Sequence, residues 1–477
     1  MLWACFHFPD LPLMVFSRAE LACRPAVVSS QSLRPDVVVA NEAAQQAGVC
    51  AGSSIAAALA LEPDLTIHVR DEKAEFSALR AMASWAGQFT STLAIEMPNF
   101  LLLEVSGCLK YFRGLKPLLH KIMEGLLELG FKAAGATAPT ATAARLLACA
   151  QSGAVIRAVG ELPAALAPLP LSLLPEAQSA SGTLAGMGIA TVGDLLALPR
   201  DGVARRFGQK LIDAIDRALG VLPDPRPLFV APDQYHGQLE LPAPVEDTEA
   251  LLFAARRLVV ELAGFLLGRG AGITRFRFDL VHEDEAPTSL VIGLLATRQS
   301  DHILNVLRER LSRLQLPDRV EAIRLTSEEI APLQSRERDF FPASARDSDA
   351  SAQVFERLRA RLGDDAVQVL ALNADHRPEL AWRYAGQPAS HAVAAAAGLP
   401  VAAGARPLWL LETPEALPEG PSAKALKLLD GPERIETGWW DGARCSRDYF
   451  VGRNDQGEQL WLFRDRSGNW FVHGLFA

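Results

Sequence analysis

The chain has 477 residues, enough for about three or four domains at roughly 100–200 residues each, and 49% of them are hydrophobic, so several cores can be buried. Lys and Arg number 47 against 56 Asp and Glu, a formal net charge of −9 that excludes a global positive field drawing the molecule onto nucleic acid, so any DNA contact must be local. Six scattered cysteines (Cys5, Cys23, Cys50, Cys108, Cys149 and Cys445) form no C-x-x-C pair and have no His cluster beside them, which argues against a zinc site or a disulfide framework and fits a reducing cytoplasm.

Leu2–Phe8 is a short apolar and aromatic run stopped by Pro9, which predicts a buried strand at the edge of a first domain. No basic n-region or small-residue cleavage site accompanies it, and no apolar run in the chain reaches the roughly 18 residues of a membrane span. Arg24–Val28 and Val37–Ala40 predict two more strands, the second running into a helix over Asn41–Ala47 that Gly48 ends. The run Met97–Gly107 carries a strand at Leu101–Val105, and Leu115–Leu129 is apolar at helical spacing and closed by Gly130. Strands alternating with helices imply an α/β or α+β first domain.

From about Leu162 the texture changes to short helices broken by Gly and Pro, with Leu184–Ile189 followed by Thr191–Leu195. A glycine-bounded hairpin between helices lets backbone N–H groups approach a phosphate, which makes Gly186, Gly188 and Ile189 candidate DNA-backbone contacts. The plainer reading is a helical turn with flexible glycines. Pro223, Pro225, Pro227 and Pro232 mark a stiff linker. Beyond it, Gln238–Leu241, Glu249–Leu267, Thr274–Val281, Thr288–Leu294 and Asp301–Leu314 predict a compact α+β domain of strands and two long helices. Its eleven arginines between Gln238 and Pro332 are offset by fifteen acidic residues, so a solvated mixed surface is the default there.

Leu333–Ala350 is polar, and Val354–Leu362 predicts one more helix before a loop at Asp375–Glu379, whose His376 reads as structural. Six of the eight tryptophans lie beyond residue 380, so the C-terminal part is built differently. Arg434–Phe476 predicts a β-meander with turns at Asn454–Gly457 and Ser467–Asn469. Trp439, Trp440, Tyr449, Trp461 and Trp470 offer an interaction surface, but strand aromatics at alternate positions more often form a core, the expectation for most of them.

Together, Arg24–Val28, Ala40–Val49, Leu101–Gly107, Gly135–Thr140, Ala143–Ala148 and Gly186–Leu195 resemble, in order and spacing, the Y-family (UmuC/DinB-type) translesion DNA polymerases over roughly residues 1–333. The resemblance implies a multidomain α+β right hand: a palm over 1–161 with fingers inserted at about 20–77, a helix-hairpin-helix thumb over 162–222, a linker over 223–234 and a little finger over 235–333. A flexible linker over 334–350 and a C-terminal partner-binding region over 351–477, containing the β-meander, would follow.

In that family a Ser-x-Asp-Glu sequence leads into a Leu-Asp-Val-Thr-Gly-like run, and counting back from Gly107 places the acidic pair at Asn99 and Phe100. The metal-binding Asp of the first strand falls at His7. Two-metal polymerisation needs carboxylates because Mg²⁺ takes hard oxygen ligands, and none of these residues is one. The Tyr and Arg of the family's triphosphate clamp fall on Glu42 and Gln45, an anion and a neutral amide, and the Lys expected after Gly135–Thr140 falls on Ala141. Asp10, three residues beyond His7 and past Pro9, is a poor substitute, and Glu104 reads as structural.

The tail segments Gly431–Glu436, Gly438–Gly442, Arg447–Val451 and Trp470–Phe476 extend the resemblance to the catalytically degenerate ImuB-type branch of the family. That branch implies a cofactor-free, non-catalytic adaptor in SOS-induced translesion synthesis. Its partners would be primer-template DNA, the sliding clamp, a DnaE-like error-prone polymerase and the RecA-like ImuA, with no membrane. Asp339, Phe340 and Phe341, in Gln334–Pro342, are a degenerate match to a clamp-binding peptide; packing on the protein's own surface is the alternative. Two other readings stay open: an active polymerase with relocated metal ligands, and an interaction scaffold that no longer touches DNA.

Overall fold

The computed structural model describes residues 1–16, 24–333, 366–385, 406–418 and 426–476, with a few isolated positions between them. The chain divides into two compact units, Met1–Arg361 and Leu362–Ala477.

The first unit begins with β1 (Trp3–His7) and α1 (Leu11–Met14). A small sheet follows, made of β2 (Ala26–Ser29), β3 (Val37–Ala40) and β4 (Thr66–Val69) in the order β3-β2-β4, with α2 (Glu42–Gln46) and α3 (Ile55–Leu61) between its strands. Asn41 caps α2 and ties it to the sheet, its Oδ1 accepting from the backbone N–H of Ala44 at 2.9 Å and of Ala26 at 3.0 Å. Next come α4 (Glu72–Ala86), β5 (Leu93–Glu96), β6 (Phe100–Glu104), α5 (Leu115–Glu128), β7 (Ala134–Ala138) and α6 (Ala141–Ala150).

Strands β5, β6, β1 and β7 form one antiparallel sheet in that order, so β1, the buried strand expected at the start of the first domain, lies in its interior. The reason is legible in the residues: Trp3–Phe6 are buried on both faces, as an interior strand requires. Ala4, Phe6, Leu101 and Leu103 face Leu79, Met82, Ile122 and Leu126 of α4 and α5. Trp3, Cys5, Leu102, Ala136 and Ala138 share a second core with α6 and the helical segment after it.

That segment comprises α7 (Leu162–Leu166), α8 (Ser181–Gly186), α9 (Val192–Leu196), α10 (Arg200–Phe207) and α11 (Gln209–Leu219). The proline-rich strap beyond it is fastened to the first sheet, the Phe229 N–H donating to the Leu93 carbonyl at 2.7 Å. It leads into β8 (His236–Val245), α12 (Thr248–Gly268), β9 (Ala271–His282), β10 (Thr288–Thr297), α13 (Ser300–Leu311) and β11 (Val320–Pro332). These strands pair in the order β10-β9-β11-β8, and the apolar faces of α12 and α13 close one side with Leu258, Leu262, Phe265, Ile303 and Leu307. No described helix is long and apolar enough to cross a membrane.

The second unit contains the hairpin β12 (Val369–Leu372) and β13 (Trp382–Ala385). Its main body is a five-stranded antiparallel sheet of β14 (Trp409–Leu417), β15 (Lys427–Thr437), β16 (Cys445–Arg453), β17 (Gln459–Asp465) and β18 (Trp470–Leu475) in the order β14-β18-β17-β16-β15. The expected meander is present, with β14 added along the far edge of β18. Tyr449 and Trp461 are core residues stacked at 4.0 Å, and Trp470 packs at the edge of the apolar interior. Trp439 and Trp440 depart from the core expectation at 69% and 59% exposure, because they sit on the β15–β16 turn beyond the end of the ladder.

Candidate functional site

The antiparallel register pairs His7, the last residue of β1, with Phe100, the first of β6, and Asn99 precedes it on the entering turn. The three sequence-singled positions therefore meet at one end of the first sheet. The His7 and Phe100 rings stack at 4.7 Å with an interplanar angle of 16°. Asn99 Nδ2 donates to the Phe8 carbonyl at 3.1 Å and lies 3.2 Å from His7 Nε2. With Nδ2 donating, His7 Nε2 accepts and the neutral ring carries its proton on Nδ1. Burial and then the nearby Arg145 charge lower the His7 pKa, which keeps that ring neutral.

Charges close over the same end. Arg145 of α6 is buried and places its guanidinium carbon 5.7 Å above the Phe100 ring, while its Nε lies 3.2 Å from Glu96 Oε1. Arg226 of the strap lies 3.6 Å from Glu96 Oε2 and 3.0 Å from Asp224, and donates to Thr142 Oγ1 at 2.7 Å. Asp224 in turn accepts from the Thr142 N–H at 2.7 Å. Arg145 and Arg226 thus balance Glu96 and Asp224 within the protein.

The triphosphate positions are separately occupied. Ala141 opens α6 and is fully buried. Glu42, at the start of α2, is exposed and paired with Lys132 at 3.5 Å, and Gln45 Nε2 donates to the Ala40 carbonyl at 2.7 Å. Two carboxylates lie close by: Glu96, paired across the sheet with Phe100 and held by Arg145 and Arg226, and Asp10, whose pKa burial raises, opposed by Lys132 and reinforced by Glu42. Glu104 sits at the other end of β6, where its Oε1 accepts from the N–H groups of Leu2 at 2.9 Å and Ser106 at 3.2 Å, and from the Ser106 hydroxyl. Burial works to raise Glu104, but these hydrogen bonds outweigh it and hold the carboxyl below its ordinary value. Among the described residues no three His, Cys, Asp or Glu side chains gather where they could hold a metal ion.

Gly186, Gly188 and Ile189 lie together in the α8–α9 turn, with Gly188 at φ +73 and open space around its Cα. The N–H groups of Gly188 and Ile189 are engaged, donating at 3.0 Å to Ala185 and Leu184 carbonyls and closing α8. Those of Ala190 and Thr191 donate to the Asp194 carboxylate at 3.1 and 2.9 Å, so α9 supplies its own anion. A turn that sequence reading passed over offers more. Arg205, Arg206 and Lys210 are exposed around Gly208, whose φ of +96 sets the corner between α10 and α11, and no ion pair involves these three among the described residues. The signal was present as Arg205-Arg206-Phe207-Gly208-Gln209-Lys210, but it was diluted by the chain's acidic balance.

The second sheet's arginines are mostly matched, Arg275 by Glu329 at 2.9 Å, Arg277 by Glu328 at 3.5 Å, and Arg324 by Gln238 at 2.9 Å. Asp339, Phe340 and Phe341 lie outside the described residues, as does most of the helix expected at 354–362. The Asp375–Glu379 loop has a structural use centred on Arg377, which is buried and binds Asp375 at 2.7 Å and Asp441 at 2.6 Å. His376 is exposed.

A family model described as the impB/mucB/samB family matches residues 13–149. Protein ImuB of Caulobacter vibrioides, in strains NA1000 / CB15N and ATCC 19089 / CIP 103742 / CB 15, is 27% identical over 463 residues, covering 90% of this chain and 100% of each relative. Solved structures similar to the chain include a Y-family DNA polymerase chimera of Dbh and Dpo4, at 18% identity and a TM-score of 0.41 over 69% of this chain and 99% of that one. DinB from Sulfolobus solfataricus is 17% identical with a TM-score of 0.39, over 70% of this chain and 100% of its own.

Proposed function

Starting from an ImuB-like chain with a Y-family polymerase-like body, we propose that it is a non-catalytic adaptor of translesion DNA synthesis, acting in the cytoplasm during the SOS response. Its body binds primer-template DNA through the backbone, and the chain brings a DnaE-like error-prone polymerase and ImuA to the sliding clamp. In this reading residues 1–161 are palm and fingers, 162–222 the thumb and 235–333 the little finger. Asp339, Phe340 and Phe341 are the clamp peptide, and the C-terminal unit serves partners.

The observation that carries the proposal is the convergence of His7, Asn99 and Phe100 at one sheet end with no carboxylate among them. A stacked ring pair and an amide already committed to the backbone occupy the place where hard oxygen ligands would be needed. Relocated ligands fit poorly. Glu104 lies four strand residues from Phe100, about 13 Å away, and is spent on Leu2 and Ser106. Buried Ala141 and anionic Glu42 weaken the triphosphate site independently.

Primer extension by the purified chain is the first test: no nucleotide addition with Mg²⁺ or Mn²⁺ is expected. Extension that disappears in Asp10→Ala would establish an active polymerase instead. For DNA, the unpaired Arg205, Arg206 and Lys210 favour phosphate contact. Three neutralised phosphates give a slope of log affinity against log salt of about −2.7. A scaffold without DNA binding is the second reading, favoured by the ion-paired arginines of the second sheet. It predicts no salt-dependent binding to primer-template DNA.

A further inference from the structure

The groove in which α12 meets α4 and α5 takes no part in the proposed function. Its volume is about 1230 Å³, and Trp85, Phe89, Phe112, Val260 and Leu267 supply its apolar lining. Trp85 is held from two sides, because a Cβ on Gly125 or on Gly264 would stand 2.3 Å from its indole. The helices reach the ring only because both positions are glycine, so the floor is preformed. Leu267 stays 44% exposed and Tyr111 on the rim 84%, an apolar opening with a polar border of the kind that marks interaction sites.

Charge on the rim is unevenly matched. Glu128 is paired with Arg256 at 3.6 Å, and Glu124 lies 3.0 Å from the exposed His120 imidazole. Arg113, Lys121 and Arg298 also line the groove, and none of them enters an ion pair among the described residues. Lys121 is poised with its ammonium 5.8 Å from the Phe112 ring centre. Arg113 holds φ +61, the one non-glycine residue in the left-handed region among the described residues, a conformation that costs energy and that surrounding structure must maintain. The opening of about 540 Å³ in the C-terminal unit makes the contrast: it is lined by Arg377, Arg444, Arg447 and Arg466, and every one of these meets a carboxylate.

We propose that the groove docks an acidic peptide segment of a partner protein. A bulky apolar side chain of that segment rests on Phe112 and Leu267, above the buried Trp85, and its carboxylates meet Arg113, Lys121 and Arg298. The surplus of unmatched cations over a deep apolar floor is complementary to such a segment. A nucleic-acid strand is the rival occupant, since phosphates and carboxylates would meet the same cations, and the test separates the two.

The test pans a phage-displayed peptide library on the full-length chain, then measures the enriched peptides by fluorescence polarisation against wild type and the double variant Lys121→Glu/Arg298→Glu. Both positions are on the rim, and circular dichroism of the variant checks that its fold is kept. The expected result is enrichment of Asp- and Glu-rich peptides with a central aromatic or leucine, and a loss of about tenfold or more in affinity for the variant. Neutral or basic winners, or binding that the variant leaves unchanged, would overturn the proposal. So would displacement of the peptide by a dT oligonucleotide at lower concentration than by free peptide, which would assign the groove to nucleic acid. Self-association of the wild type that the variant abolishes, without peptide capture, would assign it to a second copy.

Discussion

Two imidazoles in this protein stack on aromatic rings beside an arginine, and their surroundings have opposite logic. His7 lies half-buried at the end of β1, against Phe100, in a corner where Asn99, Arg145 and Glu96 also converge. His473 lies inside the C-terminal sheet at 1% exposure, hydrogen-bonded to the Tyr449 hydroxyl at 2.8 Å and flanked by Tyr449, Trp461 and Phe463. The first is a meeting of strand ends, the position where a sheet can present groups to a ligand. The second lies within a strand, where its Nδ1 meets the Tyr449 hydroxyl and its Nε2 lies 3.9 Å from Glu379. One therefore gathers polar and aromatic groups at a sheet end, and the other packs them inside the sheet's core.

The largest effect should come from the second region. Trp461→Ala removes the ring stacked on Tyr449 and should cost the C-terminal unit about 3–5 kcal/mol. Scanning calorimetry should show that loss in one transition only; an equal loss throughout would mean that the two regions do not differ in this way. Next comes pH. Burial first, and then Arg447, lower His473 from 6.5 to about 4. The unfolded chain then binds the extra proton between those values, so stability present above about 6.5 is lost as pH falls toward about 4, by at most about 3 kcal/mol. Tryptophan fluorescence of the full chain in urea reads this, and His473→Gln should flatten the dependence over that window.

In the first region a smaller change is expected. Arg145→Met leaves Glu96 with Arg226 alone and should cost about 1–3 kcal/mol. It should also raise the His7 pKa, because Arg145 is one of the two causes lowering it; an NMR titration showing no rise would separate the two residues electrostatically. Smallest of all, Arg206→Ala or Lys210→Ala should leave stability within about 0.5 kcal/mol while reducing the steepness of salt-dependent DNA binding by about one. A change in affinity without that reduction would remove the Gly208 turn from the DNA surface.

Much of the first region was legible because strands and helices there follow simple periods: Leu115–Leu129 reads as a helix, and α5 runs over Leu115–Glu128. The meeting of His7, Asn99 and Phe100 was accessible only through the resemblance, since strand register over so long a separation is not written locally. The burial of β1 was legible in its apolar run, but its neighbours in the sheet were not, because a short apolar run does not say which strands pair with it. Arg145 and Arg226 were missed for a different reason: burial of a cation depends on a tertiary partner, here Glu96, that local sequence does not announce. Trp439 and Trp440 show the limit of composition, being as aromatic as Trp461 but placed on a turn that leaves them in solvent.

The first and second sheets are joined twice. Asp224 and Arg226 fasten the strap to Thr142 and Glu96, and Trp85 sits between Gly125 and Gly264. A body pinned at one place can still pivot, whereas two separate pins remove that freedom. Reorienting the second sheet requires withdrawing α12 from the Trp85 indole, while the strap that leads to it stays fastened by charge-assisted hydrogen bonds. The separation of the two sheets is accordingly set by side-chain contacts as well as by the linking chain, which makes this unit a gauge of fixed span.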